Sequence, residues 1–405
     1  MSVELLSVEL SPFLHIFYAN RAVARLLPFL NKIKGVFQMK ENYKVGIIGA
    51  TGMVGQRFIT LLHDHPWYTI EVLAASPRSA GKKYSEAVGA KWAMDEEIPA
   101  SVKDMVVMDA TGDVEEIAKK VDFVFCAVDM KKDEIKALEE RYAKCECPVV
   151  SNNSAHRHTP DVPMIIPEIN PQHLEIIPTQ RARLGTKRGF IAVKSNCSLQ
   201  SYLPAMAVIN MKYPIDHALV TTYQAISGAG KTFETWPEMV DNLIPYIGGE
   251  EMKSEVEPNK VLGKIEGGEI VPSNELSIEC QTYRVPVSNG HTAAIFFSFK
   301  DSANKPSVEE IEKMWADYSG EPQKLNLPHA PEQFIHVYTE KEQPDQPQIK
   351  TAREIDGGMA ISCGRLREST QYDYKMVSMS HNTLRGAAGG AVLLAELLTA
   401  KGYMD

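Results

Sequence analysis

A cysteine, an arginine and a histidine define the chemistry open to this sequence. Cys197 stands in Lys194-Ser195-Asn196-Cys197-Ser198, between an apolar, β-leaning run, Phe190–Val193, and a helix-like stretch, Leu199–Met211. A thiol at such a junction is expected to face the first turn of a helix, where free N–H groups and the dipole favour thiolate over thiol. Thiolate is the nucleophilic form, so the position suggests covalent catalysis. A lone cysteine is more often an inert core residue; here its company argues otherwise. Arg284 and His291 stand at the two ends of a Pro/Gly-bent segment that leads into a buried strand, and from there they can converge on one pocket. The β-branched run Thr221–Ile226 opens into Ser227-Gly228-Ala229-Gly230, a turn able to admit a flat ring, and Gly248-Gly249-Glu250-Glu251-Met252-Lys253 heads a run of helix formers.

These groups need a scaffold, and the first part of the chain spells one. Tyr43–Ile48 reads as a buried parallel strand running into Gly49-Ala50-Thr51-Gly52-Met53-Val54-Gly55, a helical pattern follows from Gln56 to His63, and a second strand from Thr69 to Ala75. Strand, glycine turn, helix, strand is a βαβ unit whose turn presents backbone N–H groups to a pyrophosphate. A further apolar strand, Val121–Val128, continues the pattern. The spacing GxxGxxG departs from the usual dinucleotide fingerprint, so the end of the second strand has to choose the cofactor. Glu71 falls near the start of that strand, away from its carboxyl edge, whereas Ser76, Arg78 and Ser79 follow its end. Cationic and hydroxyl donors there suit a ribose phosphate, which favours NADP over NAD.

Composition bounds the remainder. At 405 residues the chain has room for two domains, and its net charge of −9 argues against a general binder of nucleic acid or anionic membrane. An anionic substrate then needs a local cluster of Arg and Lys. Six cysteines are too sparse for a disulfide scaffold, and Cys145-Glu146-Cys147 lacks both CxxC spacing and nearby histidines, so reduced thiols, no metal and a cytoplasmic location are expected. No run is apolar enough to span a membrane. Residues 1–41 read as an extension: Phe13–Phe37 mixes apolar and basic residues, and Met39 offers a second start. Glu340–Gln348 reads as an exposed loop.

In order and spacing, the motifs GATGMVG (49–55), SNCS (195–198), YQAISGAG (223–230), EEMK (250–253), RVPVSNGHT (284–292) and HNTLRGAAG (381–389) resemble the aspartate-semialdehyde dehydrogenase family, from residue 43 to the C-terminus. The loop ASPRSAGKK looks like that of the archaeal and fungal branch. The resemblance implies an NADP-dependent phosphorylating aldehyde dehydrogenase serving lysine, threonine, methionine and isoleucine biosynthesis. It further implies Cys197 as nucleophile, His291 as acid/base catalyst and Gln224 orienting the substrate carbonyl. By the same resemblance Arg284 would clamp the substrate carboxylate and Glu250 the amino group, with Glu251 adjacent to it, and Arg157, Lys253 and Asn196 would belong to the phosphate site. Gly49, Thr51, Gly52, Met53, Val54, Ser76, Arg78, Ser79, Ser227, Gly228 and Asn382 would contact the cofactor, and the second domain would form a homodimer or homotetramer.

The expected fold is α/β: a Rossmann-like NADP-binding domain over 42–196, then an α+β catalytic and dimerisation domain over 197–370. A small-residue helix opening at Arg385, within 371–405, returns to the first domain. Competing readings are N-acetyl-γ-glutamyl-phosphate reductase, which shares thiol chemistry and cofactor but not the RVPVxxGH arrangement, and a catalytically silent NADP-binding regulator. A glyceraldehyde-phosphate dehydrogenase differs in its cysteine motif, and a cysteine hydrolase has no use for the glycine turn.

Overall fold

A computed structural model describes residues 40–339 and 346–405. The extension, apart from its last two residues, and most of the 340–348 loop therefore lie outside the described residues. Of that loop's far end, Gln346 is buried against Gly364 rather than exposed.

The first domain is a seven-stranded parallel sheet in the order β3-β2-β1-β4-β5-β7-β6. Its strands are β1 (Tyr43–Ile48), β2 (Tyr68–Ala75), β3 (Met108–Asp109), β4 (Phe123–Cys126), β5 (Val149–Ser151), β6 (Met164–Ile165) and β7 (Ile191–Lys194). Strand β4 is buried at every position, as expected of a strand covered on both faces. Helix α1 (Met53–Leu62) begins three residues earlier than its periodicity suggested, directly at the glycine turn, and buries Phe58, Ile59 and Leu62. Gly55 permits this approach, because a Cβ there would lie 2.3 Å from the Gly49 carbonyl oxygen. Helix α2 (Lys132–Lys144) buries Ile135, Leu138 and Tyr142.

The second domain is a mixed six-stranded sheet in the order β11-β8-β12-β15-β14-β13. It comprises β8 (Ile215–Gln224), β11 (Ser277–Arg284), β12 (His291–Phe299), β13 (Ile335–Tyr338), β14 (Ile361–Glu368) and β15 (Tyr374–Ser380), with a separate hairpin β9 (Lys264–Glu266) and β10 (Glu269–Val271). Strand β12 alternates, burying His291, Ala293, Ile295, Phe297 and Phe299 while the intervening residues are half-exposed. The boundary expected at residue 370 is corrected: it would separate the hydrogen-bonded strands β14 and β15, and the sheet runs on to Ser380.

Two helices of this half bear on the site, α3 (Leu203–Asn210) and α4 (Glu250–Val261). The terminal helix α5 runs Ala388–Ala400, three residues later than expected, because Arg385 lies in the buried turn before it. It is apolar but for Glu396 and Thr399, is buried throughout except at Ala400, and packs against α1, β5 and β7. Removing any of Leu393, Leu394, Leu397 or Leu398 would cost about 2–5 kcal/mol.

Candidate active site

Sheet register assembles half of the site. Parallel strands β8 and β11 both end where antiparallel β12 begins, so Gln224 pairs with Arg284 on one side and with His291 on the other. Three residues separated by 60 and 7 positions in sequence thus become neighbouring rungs. Gly228 lies against them: a Cβ there would come 2.9 Å from Arg284 Nη1 and 3.2 Å from His291 Cε1. Arg284 Nη1 donates to the Ala225 carbonyl oxygen at 2.6 Å, and Gln224 donates to Thr222 Oγ1 at 3.3 Å.

The other half comes from the carboxyl edge of the first sheet. Cys197 follows β7 and is half-buried, with its Sγ 3.5 Å from His291 Nε2. The expected regular helix behind it is corrected. A single 3-10 turn, Leu199–Ser201, breaks at Tyr202 (φ −141°) before α3 starts. One turn offers little dipole, and the surroundings act the other way. Burial raises the Cys197 thiol above its ordinary value and Glu250 adds to this, against the pull of Lys194, Arg157 and Arg284.

His291 has one proton position consistent with its contacts. The Ala225 N–H donates to Nδ1 at 3.1 Å, so in the neutral ring the proton sits on Nε2, facing the sulfur. Burial and the neighbouring Arg284 push its pKa down to about 3, so the ring is neutral near neutral pH. It therefore stands as a hydrogen-bond donor to sulfur or to an oxyanion.

Helix α4 lines the opposite wall with Glu250 and Lys253, and the buried Glu257 follows them on the same face, at i, i+3 and i+7. Glu250 bonds Lys253 Nζ at 2.5 Å and Asn196 Nδ2 at 3.0 Å. Burial opposes its ionisation, but Lys253 and Asn196 bring its pKa below the ordinary value. Glu251 points elsewhere and accepts from the Thr282 N–H at 3.2 Å. Arg157 donates to Glu257 at 3.1 Å and to the Lys194 carbonyl oxygen at 3.1 Å. Both cations expected at a phosphate site are thus already tied to carboxylates.

Cys197, Asn196, Arg157, Glu250, Lys253, Met53, Val54, Ser227, Gly228 and Asn382 line one cavity of about 350 Å³. Asn382 braces it, with its Oδ1 accepting from the Gly290 N–H at 2.7 Å and its Nδ2 donating to Ser227 Oγ at 2.9 Å. Gln224, Arg284 and His291 lie behind Gly228 and do not line it, nor do Gly49, Thr51 and Gly52. Ser76, Arg78 and Ser79 stand apart, at the solvent-facing end of β2.

These residues fit a dinucleotide. Gly49 has φ +96° and a Cβ there would strike the Ala127 carbonyl oxygen at 2.3 Å, which keeps backbone close at the start of α1. Asn152 Oδ1 is buried without a hydrogen-bond partner beside the cavity. Glu71 is held by Lys44 at 3.3 Å, far from the end of β2, and so leaves the phosphate-favouring donors uncontested.

Sequence reasoning missed Lys194, Glu257, Asn152 and Asn153. Helical spacing from Glu250 would have found Glu257. Ser151-Asn152-Asn153-Ser154 after a buried strand was a visible polar cluster at the sheet's carboxyl edge. Lys194 gave no signal.

Both domains have relatives among known proteins. Residues 44–177 match the family model described as semialdehyde dehydrogenase, NAD binding domain, and residues 204–385 match semialdehyde dehydrogenase, dimerisation domain. The chain is 41% identical over 370 residues to the aspartate-semialdehyde dehydrogenase of Candida albicans, covering 88% of this chain and 98% of that one. For the protein of that name from Methanothermobacter thermautotrophicus the figures are 41% over 360 residues, 87% and 98%. The crystal structure of aspartate semialdehyde dehydrogenase with NADP from Candida albicans matches with a TM-score of 0.79 at 39% identity, over 89% of this chain and 99% of that one. With both domains matched and the thiol, imidazole and glycine cradle assembled, this chain belongs to the aspartate-semialdehyde dehydrogenase family.

Proposed function

We propose that this protein interconverts L-4-aspartyl phosphate and L-aspartate 4-semialdehyde plus phosphate, using NADP. The observation that carries this is the Cys197 Sγ to His291 Nε2 contact of 3.5 Å beside the glycine-built cavity. In the reductive direction the Cys197 thiolate attacks the acyl carbon, the carbon–oxygen bond to phosphate breaks, and a thioester remains. Capture as a thioester divides a difficult reduction into feasible steps. NADPH, held by the turn 49–55 with Ser76, Arg78 and Ser79 at its ribose phosphate, supplies the hydride when bound. The Nε2–H of His291 donates to sulfur before attack and to the developing oxyanion afterwards, a type of contact worth about 3 kcal/mol.

Gln224 orients the carbonyl, Arg284 grips the carboxylate with the guanidinium edge not used by Ala225, and Glu250 takes the amino group. Asn196, Arg157 and Lys253 receive the phosphate, the two cations sharing it with Glu257 and Glu250. A homodimer, or a tetramer built from it, uses the second sheet. There Tyr223, stacked on Tyr283, lies near the exposed Leu243 and Tyr246, whose loop pairs with Arg284 through Ile244. Sedimentation separates the two assemblies. Six free cysteines suit a cytoplasmic location, and no helix among the described residues is long and apolar enough to cross a membrane.

The test is to follow NADPH formation from aspartate semialdehyde with and without phosphate, beside an assay of N-acetyl-γ-glutamyl phosphate. Reduction of NADP that depends on phosphate, with no turnover of the longer acyl phosphate, is expected. Turnover of the longer substrate alone would replace this reading.

A further inference from the structure

Lys194, the last residue of β7, is 2% exposed and lines the same cavity as Cys197. Burying an ammonium is costly unless a carboxylate compensates it. Among the described residues Lys194 makes no ion pair; its Nζ donates to the Ser195 carbonyl oxygen. The other cations at this wall differ. Arg157 is held by Glu257 at 3.1 Å and Lys253 by Glu250 at 2.5 Å. The stem of Lys194 is held by α5, since a Cβ on Gly390 would come 3.2 Å from its Cδ. An alanine or larger residue at 390 would crowd that stem.

Two groups at this centre thus lack their charge partner: an ammonium without a carboxylate and a sulfur that must ionise to react. We propose that Lys194 is a positioning residue for Cys197, its ammonium holding the sulfur as thiolate in a cavity that otherwise disfavours the charge. The groups facing Lys194 are Arg157, Glu257, Arg385, Cys197 and His291. Arg157 and Arg385 are spoken for, by Glu257 and by Glu168 at 2.6 Å, and Glu257 is already engaged with Arg157. Facing Cys197 are Glu250, Lys194, Arg157, Arg284 and His291. Of these cations Lys194 alone has only a backbone partner and lines the cavity, because Arg284 lies behind Gly228. Burial lowers the Lys194 ammonium to about 7, with Arg157 adding to the effect, while Cys197 and Glu257 act against it. A neighbouring thiolate therefore returns the charge to a group that burial has brought close to losing it.

The inference rests on Cys197 being the nucleophile of the proposed reaction, but its test needs no substrate. The rate at which iodoacetamide alkylates Cys197 in the full-length protein is measured against pH by peptide mass spectrometry, for the wild type, Lys194→Met and Lys194→Gln. Methionine conserves the stem's volume and removes the charge; glutamine serves if the methionine variant does not accumulate. Expected is an upward move of the Cys197 midpoint by about one pH unit, or about tenfold less thiolate near neutral pH. Cys145 and Cys280 should alkylate as before, and NADPH should still bind. A merely structural lysine would alter stability without moving that midpoint. An unchanged Cys197 midpoint in either folded variant overturns the proposal. Phosphate-dependent turnover by the wild type is read separately, so failure of the lysine's role and failure of the reaction are distinguishable.

Discussion

Two largely buried polar clusters, each built around histidine, show how differently one chain can treat the same chemistry. At the far end of α5, Glu396 is fully buried and its Oε1 bonds His65 Nε2 at 2.8 Å and His329 Nδ1 at 2.5 Å, while Oε2 accepts the His329 N–H at 3.0 Å. His65 Nδ1 accepts the N–H groups of Trp67 and Tyr68, and its ring stacks on His329 at 5.2 Å. Burial opposes ionisation of Glu396, but the two histidines hold its pKa down at about 2. Two histidines and a carboxylate are a metal-ligand set, yet with Nδ1 taken by donors the His65 Nε2 carries its proton and has no lone pair for an ion. Here every charge is answered, and the cluster ties α5 to the turn after α1 and to the segment around His329. At the catalytic centre a lysine lacks a carboxylate, a thiol is raised and a histidine behind the cavity wall is driven down to about 3. The comparison teaches that satisfied polar networks fasten the fold, whereas unsatisfied ones are kept where substrate or an ionised intermediate will complete them.

The largest effect is expected at the unsatisfied cluster. Cys197→Ser should lower turnover about a thousandfold or more and leave NADPH binding intact by fluorescence titration, because a hydroxyl does not form the thioester. Substantial activity in that variant would remove the covalent route. Glu396→Gln should do the reverse. An amide presents a donor to the His329 N–H and costs about 3 kcal/mol of stability, seen as a lower melting temperature. Turnover per folded molecule should change by less than about twofold, since no Glu396 atom reaches the cavity. A stable variant would dissolve the contrast.

Acid should act on both regions. His291 and His381 have folded pKa values of about 3 against an ordinary 6.5, each chiefly because of burial, so between these values the unfolded chain binds the additional protons. Stability is complete above about 6.5 and falls as pH drops toward about 3; Glu396, at about 2 against 4.5, adds its own loss below about 4.5. Urea midpoints taken across that range measure it, and a flat profile would contradict the buried neutral histidines. Smallest is Arg284→Lys, which should raise the KM for the semialdehyde about tenfold with little change in kcat. The ammonium has one point of charge where the guanidinium bonds Ala225 and keeps a second edge for substrate. An unaltered KM would take Arg284 out of the carboxylate role.

Local signals proved readable where sequence neighbours do the work. The glycine turn with α1, the strand after His291 and the placing of Glu250 at a helix start follow from spacing and periodicity alone. The half-exposure of Ala294 and Phe296 in β12 does not, because they are as apolar as their buried neighbours. The environment of Cys197 was less legible. Its flanking pattern suggested a helix start that lowers the thiol pKa, but Tyr202 breaks the helix and burial beside Glu250 prevails. The break has a local cause in Pro204, in the first turn of α3; the burial beside Glu250 has none. The paired state of Arg157 was hidden for a related reason, because Glu257 lies 100 residues away, whereas Lys253 and Glu250 form a local i, i+3 pair that helical spacing offered.

By itself the sequence determined which residues are able to react, and the βαβ unit beside them, since residue chemistry, turn sterics and side-chain period act over a few positions. Tertiary structure alone decided how they meet. Parallel β8 and β11 ending against antiparallel β12 set Gln224, Arg284 and His291 side by side, and the edge of the other sheet brought Cys197 within 3.5 Å. It also decided their protonation, because desolvation and charge pairing depend on what long-range packing places nearby, and residue order does not encode that distance.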